Sequence, residues 1–293
     1  MITANALTMR YRNGKGIFDL SFTIREGETF GYLGPNGAGK TTTIRNLLGF
    51  MKAQQGACTI NGFDCWREAA KVQKNLGYIP GEIAFLSGMK GNEFLRLLSE
   101  MRATKNNSRQ RVLSERFEID TNMSIRKMSK GMKQKVGIIA AFMHDPEVYI
   151  LDEPTNGLDP LMQRRFVELI LEEKSRGKTI LMSSHMFEEI ERTCDRAGII
   201  RDGRLVAIED MAALKHTRQK KYIVTLETDE DVKQLKRSGL SLSDLGQNRV
   251  EVTVSGSTNA FIRQLSAVSV ESLEAGTLDL EEVFMQFYGQ EAK

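Results

Sequence analysis

The chain has 293 residues, enough for one large domain or a large and a small one. Its 41 basic and 38 acidic residues leave a net charge of +3, too balanced to mark a nucleic-acid binder, and 41% hydrophobic with 27% charged residues is the usage of a globular protein. No run of about 18 apolar residues occurs, which excludes a spanning helix, so a membrane would matter only through a partner. The opening Met1-Ile2-Thr3-Ala4-Asn5 carries no charged region and no apolar stretch, so no secretory signal is read. Cys58, Cys65 and Cys194 are odd in number and fit no CxxC spacing, which points to a reducing compartment without a disulfide framework.

Leu7, Met9 and Tyr11 alternate with polar residues, and Ile17, Leu20, Phe22 and Ile24 follow; these predict two strands joined at Asn13-Gly14. Tyr11 ends its strand, where its ring could stack on a purine or pack on an edge. Thr29 to Leu33 is a short buried strand, and Gly34-Pro35-Asn36-Gly37-Ala38-Gly39-Lys40-Thr41-Thr42 follows it. That stretch fits G-x-x-x-x-G-K-[ST], the phosphate-binding loop. Its glycines let the backbone curl and aim N–H groups at a polyphosphate. Lys40 adds charge for the β- and γ-phosphates, Thr41 offers a hydroxyl to Mg²⁺, and the helix that begins near Lys40 adds its positive dipole end. The spacing predicts a helix to Leu48, closed by Gly49, and then a strand at Ala57 to Ile60 ending in the turn pair Asn61-Gly62.

Leu76 to Ile79 predicts a buried strand stopped by Pro80. From Asn92 to Phe117 apolar residues recur at helical spacing, a helical insertion. Ser129 is a good N-cap for the helix carrying Val136, Ile139 and Met143, and with Gly131 it makes a second anion site. Val148 to Leu151 is a strand that delivers Asp152 and Glu153; two carboxylates after an apolar strand need a reason, and Mg²⁺ and an attacking water supply one. Asp159 caps the next helix with Pro160 at its first position. Lys178 to Met182 is a strand ending in Ser183-Ser184-His185, so Lys40, Asp152, Glu153 and His185 all lie at strand C-terminal ends, where parallel α/β sheets bind ligands. His144 and His216 have no such context and read as structural or surface residues. A hairpin across Asp202-Gly203 and a short helix from Asp210 to Leu214 close this part.

The basic stretch 215–221 reads as a linker. Tyr222, Val224 and Leu226 then predict a strand; Val232, Leu235 and Leu240 a helix; Val250, Val252 and Val254 a strand; and Phe261, Ile262 and Leu265 a helix. Residues 222–293 would thus be a small α+β domain without a catalytic constellation, ending in an amphipathic helix from Asp279 to Tyr288.

Taken together, the chain to about residue 212 resembles the ATP-binding cassette (ABC) ATPases. Gly34 to Thr41 match the family's Walker A loop, Val148 to Asp152 its Walker B strand, Glu153 its catalytic carboxylate, Leu158-Asp159 its D-loop and His185 its switch histidine. Ser129-Lys130-Gly131-Met132-Lys133-Gln134 sit at the LSGGQ signature, and Tyr11 matches the aromatic residue that stacks on adenine. The order is similar to single-cassette subunits of type-2 exporters, whose C-terminal domain often ends in a motif like Leu280-Glu281-Glu282-Val283-Phe284. The resemblance departs at Gly81, where the family usually places a glutamine; Glu82 follows, with a carboxylate that could contact metal or water.

The resemblance implies a P-loop α/β core with a mostly parallel sheet, an antiparallel β subdomain and a helical subdomain at about 82–145, making residues 1–214 one nucleotide-binding domain. It implies an ATPase using ATP and Mg²⁺, the metal held by Thr41 and Asp152, with Tyr11, Gly34, Asn36, Gly37, Ala38, Gly39, Lys40, Thr41, Thr42, Ser129, Gly131 and Asp159 on the nucleotide. Partners would be a polytopic membrane permease and a second cassette, packed head to tail, at the cytoplasmic face of the membrane, with no nucleic acid. The alternative is a non-transport ABC ATPase acting on nucleic acid or the ribosome. The nucleic-acid type carries a long coiled-coil insertion and the ribosomal type two cassettes, and neither feature is present.

Overall fold

The computed structural model describes residues 1–86, 88–102, 108–216, 220–254 and 258–276. The expected helix at 279–288 and the motif at 280–284 lie outside them. By chain contacts the protein divides into Met1–Met211 and Ala212–Lys293.

In chain order the first unit contains β1 (Ile2–Arg10), β2 (Gly16–Ile24), β3 (Thr29–Leu33), α1 (Lys40–Leu47), β4 (Gln55–Ile60), β5 (Phe63–Asp64), α2 (Ala69–Lys74), β6 (Leu76–Ile79), α3 (Gly91–Met101), α4 (Ser108–Arg116), α5 (Lys130–Phe142), β7 (Val148–Asp152), α6 (Pro160–Ser175), β8 (Thr179–Ser184), α7 (Phe187–Thr193), β9 (Arg196–Arg201) and β10 (Arg204–Asp210). An antiparallel sheet has the order β2-β1-β4-β5, and a six-stranded sheet the order β10-β9-β3-β8-β7-β6. Only β10 runs antiparallel in the second sheet, turning back through Asp202-Gly203. Strands β3, β7 and β8 are buried at every residue, as a sheet covered on both faces requires.

Helix α1 is amphipathic only in part, because both of its apolar flanks find partners. Ile44, Leu47 and Leu48 share one core with Ile2, Leu7 and Leu20 of the antiparallel sheet and with Phe30, Ile150 and Leu181 of the parallel sheet. Each such side chain contributes about 1.5–3 kcal/mol by leaving water. Thus the loop that precedes α1 is held on a helix fixed from both sides. In the helical part, Phe142 stacks on Tyr149 at 4.3 Å and meets Phe166 edge-on at 6.3 Å, tying α5 to β7 and α6.

His144 follows α5 as a structural residue. Its Nε2 donates to the Leu76 carbonyl at 3.2 Å. Burial, reinforced by the Arg102 charge, pushes the imidazole down to about 4. The unfolded chain takes up the proton near the ordinary value of about 6.5. The unfolded state therefore binds more protons between these values, and the stability this group contributes is complete above about pH 6.5 and lost as the pH falls toward 4. His144→Gln is expected to flatten that acid limb, read as denaturation midpoints across the same pH range; an unchanged slope would assign the limb to other groups.

The second unit begins within α8 (Met211–His216) and continues with β11 (Lys220–Leu226), α9 (Asp229–Lys236), β12 (Ser241–Gly246), β13 (Arg249–Val254), α10 (Thr258–Leu265) and β14 (Val270–Gly276). Its sheet has the order β12-β13-β11-β14, all antiparallel. Val224, Leu226, Leu235, Val250, Val252 and Phe261 form a separate core. Two strands, β12 and β14, escape the sequence reading. Both are edge strands, and β12, rich in serine and glycine and exposed at five of six residues, has no alternating apolar face to announce it. Leu240, expected on the helix, lies beyond its end, where Gly239 takes a left-handed φ of 77° and stops it. Of the basic stretch 215–221, Lys215 and His216 end α8, and Lys220 and Lys221 begin β11. No helix among the described residues is long and apolar enough to cross a membrane.

Candidate nucleotide site

The loop from Gly34 to Gly39 joins β3 to α1 in the space the motif requires. A Cβ on Gly34 would lie 2.5 Å from the Ile200 carbonyl oxygen, so the loop passes β9 closer than any side chain permits. Gly39 has φ 114° and directly precedes Lys40. Lys40 is buried, and its Nζ donates to the carbonyls of Gly34 at 2.7 Å and Pro35 at 3.3 Å while pairing with Glu153 Oε1 at 3.2 Å. The ammonium is thus held across the mouth of its own loop.

Strands β3, β8 and β7 are neighbours, in register Leu33 with Ser184 and Asp152 with Ser183. Their C-terminal ends therefore finish level and side by side. This brings Thr41 Oγ1 to donate to Asp152 Oδ2 at 2.8 Å, and Ser183 Oγ to donate to Asp152 Oδ1 at 2.5 Å. Asp152 is 1% exposed and receives only hydroxyl hydrogen bonds among the described residues. A buried carboxylate with no cation beside it, converging with a threonine hydroxyl, is a donor set of hard oxygens that fits Mg²⁺.

Glu153 has φ 48°, uncommon for a residue with a side chain. Its N–H is fixed by Ser183, donating to Oγ at 3.1 Å and to the carbonyl at 3.2 Å. Ser183 thereby positions both carboxylates, a role invisible in sequence because it needs the β7–β8 pairing. His185 Nδ1 lies 3.6 Å from Glu153 Oε2 on a half-exposed ring.

Tyr11 stands just past β1, and its hydroxyl is 3.3 Å from Thr42 Oγ1. It lines a cavity of about 280 Å³ with Asn36, Lys40, Thr41, Thr42 and Glu153. Asn13 and Lys15 also line it, although the sequence marks Asn13 only as half of a turn and gives Lys15 no role. A lysine one residue beyond Asn13-Gly14 was the available signal.

Ser129, Gly131 and Asp159 do not line that cavity. Ser129 caps α5, accepting from Met132 N at 3.2 Å, and Asp159 caps α6, accepting from Met162 N at 3.0 Å. The start of α5 packs instead on the loop after Glu153. Gln134 Nε2 donates to the Pro154 carbonyl at 2.7 Å, and Lys130 Nζ to Asn156 Oδ1 at 3.1 Å. Gly81 lies against Asp152, where a Cβ would be 3.3 Å from Oδ2, and Glu82 is exposed. Gly81 thus contributes no side-chain oxygen at the carboxylate.

One further residue joins the two loops. Glu189 of α7 is buried and accepts hydrogen bonds from Thr155, two residues after Glu153, and from Ser184 at 3.0 Å, one residue before His185. We expect Glu189→Gln to lower the turnover number roughly tenfold through misplacement of these loops, with KM for ATP little changed because the phosphate loop is untouched. A loss of thermal stability with no change in turnover would make Glu189 merely structural.

A glycine loop on a helix N-terminus, with two carboxylates at the end of a parallel strand of the same sheet, defines a P-loop nucleotide-hydrolysing protein. The ABC transporter family profile matches residues 17–156. An ABC transporter ATP-binding protein of Bacillus subtilis, YhcH, is 34% identical over 292 residues, covering 97% of this chain and 94% of its own. The bacitracin transport ATP-binding protein BcrA of Bacillus licheniformis is 36% identical over 228 residues, covering 76% of this chain and 74% of its own. A solved structure described as the ATP-binding subunit of an ABC transporter superposes with a TM-score of 0.68 at 32% identity, covering 73% of this chain and 92% of that one. The chain belongs to the ATP-binding subunits of ABC transporters, and its chemistry is that family's hydrolysis of ATP.

Proposed function

We propose that this subunit drives an exporter, working as a head-to-tail pair on a polytopic membrane permease at the cytoplasmic face. The observation that carries this reading is the division of the anion-binding groups. Lys40, Thr41, Asp152, Glu153 and His185 converge in one place, while Ser129 and Gly131, at the capped start of a 13-residue helix, stay outside the cavity. A second copy turned by a two-fold axis would bring its Ser129 helix end to the γ-phosphate held by Lys40, completing two equivalent sites. Export is supported by the bacitracin transport assigned to BcrA in its name.

In this reading Tyr11 stacks on the adenine ring, and the backbone from Gly34 to Lys40 holds the β- and γ-phosphates. Thr41 and Asp152 would hold Mg²⁺, which when bound neutralises phosphate oxygens. When ATP enters, Lys40 exchanges its contact with Glu153 for the phosphates. The freed Glu153 carboxylate, oriented by Ser183 and His185, accepts a proton from the attacking water. Closure of the pair on ATP and reopening after hydrolysis would move the permease.

Mixing two inactive variants tests the arrangement. Lys40→Ala disables the loop, and Ser129→Asp keeps a good N-cap while its charge repels the γ-phosphate. A head-to-tail heterodimer of the two retains one unaltered site. Turnover of the mixture is expected to rise above that of either variant alone. A merely additive mixture would mean that each chain hydrolyses ATP by itself. Co-purification of ribosomes or nucleic acid, in place of a polytopic membrane protein, would overturn the transport reading.

A further inference from the structure

The Asn61-Gly62 turn folds β4 and β5 together with the pairs Thr59–Asp64 and Ile60–Phe63. The next pair in that register is Cys58 with Cys65, and the Cys65 N–H donates to the Cys58 carbonyl at 3.0 Å. Directly opposed residues of a hydrogen-bonded antiparallel pair have their Cα atoms about 5.5 Å apart, inside the span a disulfide bridges. Both side chains enter the same core, so both sulfurs are on one face.

The two cysteines differ in access. Cys65 is fully buried, whereas Cys58 is 8% exposed and lines a cavity of about 160 Å³ with Asn46, Lys52, Asp64, Trp66 and Arg67. Hydrogen bonding from Cys65 draws the Cys58 thiol below the ordinary thiol range, against burial and the Asp64 charge, and raises that of Cys65. Cys58 Sγ also lies 3.5 Å from the Asn46 carbonyl, in the last turn of α1.

We propose that Cys58 and Cys65 form a reversible redox site, in which Cys58 reacts with a small hydroperoxide from the cavity and Cys65 closes the disulfide. The Cys58 thiolate attacks one oxygen of hydrogen peroxide; the O–O bond breaks and hydroxide leaves, taking up the thiol's proton as water. The Cys65 sulfur then attacks the sulfenic sulfur of Cys58. The S–O bond breaks, and the departing hydroxide takes the Cys65 proton as a second water. Both sulfurs are oxidised and the peroxide is reduced to two waters. In a reducing compartment such a bond is transient, which suits a sensor rather than a staple.

Cys194 serves as an internal control: it is buried in a different setting, beside Thr193, and burial pushes its thiol up to about 12. Reduced full-length protein is treated with hydrogen peroxide, its accessible thiols are alkylated, and its peptides are weighed. The expected product is a Cys58–Cys65 linkage with the loss of two hydrogens, reopened by dithiothreitol, with Cys194 still a thiol. Three results overturn the proposal: both thiols remaining free at doses that oxidise free cysteine, Cys58 carried to sulfinic acid with Cys65 still a thiol, or Cys58 linked to Cys194. In Cys65→Ala the Cys58 sulfenic acid is expected to persist and be captured by dimedone. An unreacted Cys58 in the folded variant would remove its assignment as the attacking thiol. The wild-type peptides decide the pairing even if that variant does not fold.

Discussion

Replacing Glu153 by glutamine is expected to lower ATP turnover by about 10²–10⁴-fold, the usual contribution of a positioned general base. ATP binding should be retained or strengthened. The Lys40 ammonium rests 3.2 Å from Glu153 Oε1, so incoming phosphates compete with that carboxylate for it. Glutamine keeps the shape, removes the competing charge and cannot take a proton from water. The gain in affinity should be a few-fold, corresponding to about 1 kcal/mol for a partly screened pair. In the proposed pair hydrolysis is the step that reopens the two chains, so the variant should accumulate as an ATP-bound dimer. Phosphate release and mass in solution, with and without ATP, check both halves. Normal turnover would remove the role assigned to Glu153. A monomer at saturating ATP would overturn ATP-driven pairing of the isolated subunit.

Replacing Lys40 by alanine is expected to weaken ATP binding by about 10²-fold, since a charge-assisted phosphate contact contributes about 1.5–3 kcal/mol and the carboxylate it leaves behind repels the ligand. Lys40 is 5% exposed and spans the loop through the Gly34 and Pro35 carbonyls, so its loss also frees two acceptors at the mouth of the site. The fold should survive, because α1 is held by Ile44, Leu47 and Leu48 rather than by the lysine. Equilibrium dialysis with ATP and with ADP separates the effects. A loss much larger for ATP than for ADP would place the ammonium mainly on the γ-phosphate, and equal binding to wild type would overturn its role.

Much of the site was legible because its chemistry is local. Gly34 to Thr41 form one contiguous loop, and Asp152-Glu153 end a strand that is apolar throughout, so neighbouring residues alone announce a phosphate nest and a carboxylate pair. The caps at Ser129 and Asp159 were equally readable, since an N-cap bonds only three residues ahead. The hairpin at Asp202-Gly203 and the buried strands β3, β7 and β8 follow from turn chemistry and apolar runs of the same short range.

What sequence alone determined, then, was the set of chemical groups and the local backbone that carries each one. Only the tertiary structure decided which of them meet. The order β3-β8-β7 sets β8 between β7 and the much earlier β3, a matter of pairing between strands that no local propensity encodes. That order places Ser183 between Asp152 and Glu153 and lets Glu189 tie Thr155 to Ser184, while the β1–β2 turn of the antiparallel sheet brings Asn13 and Lys15 to the cavity. It also leaves the Ser129 helix end on the Pro154–Asn156 loop, away from the phosphate nest of its own chain. Edge strands β12 and β14 were unreadable for the same reason, since their stability comes from the strand beside them rather than from their own residues.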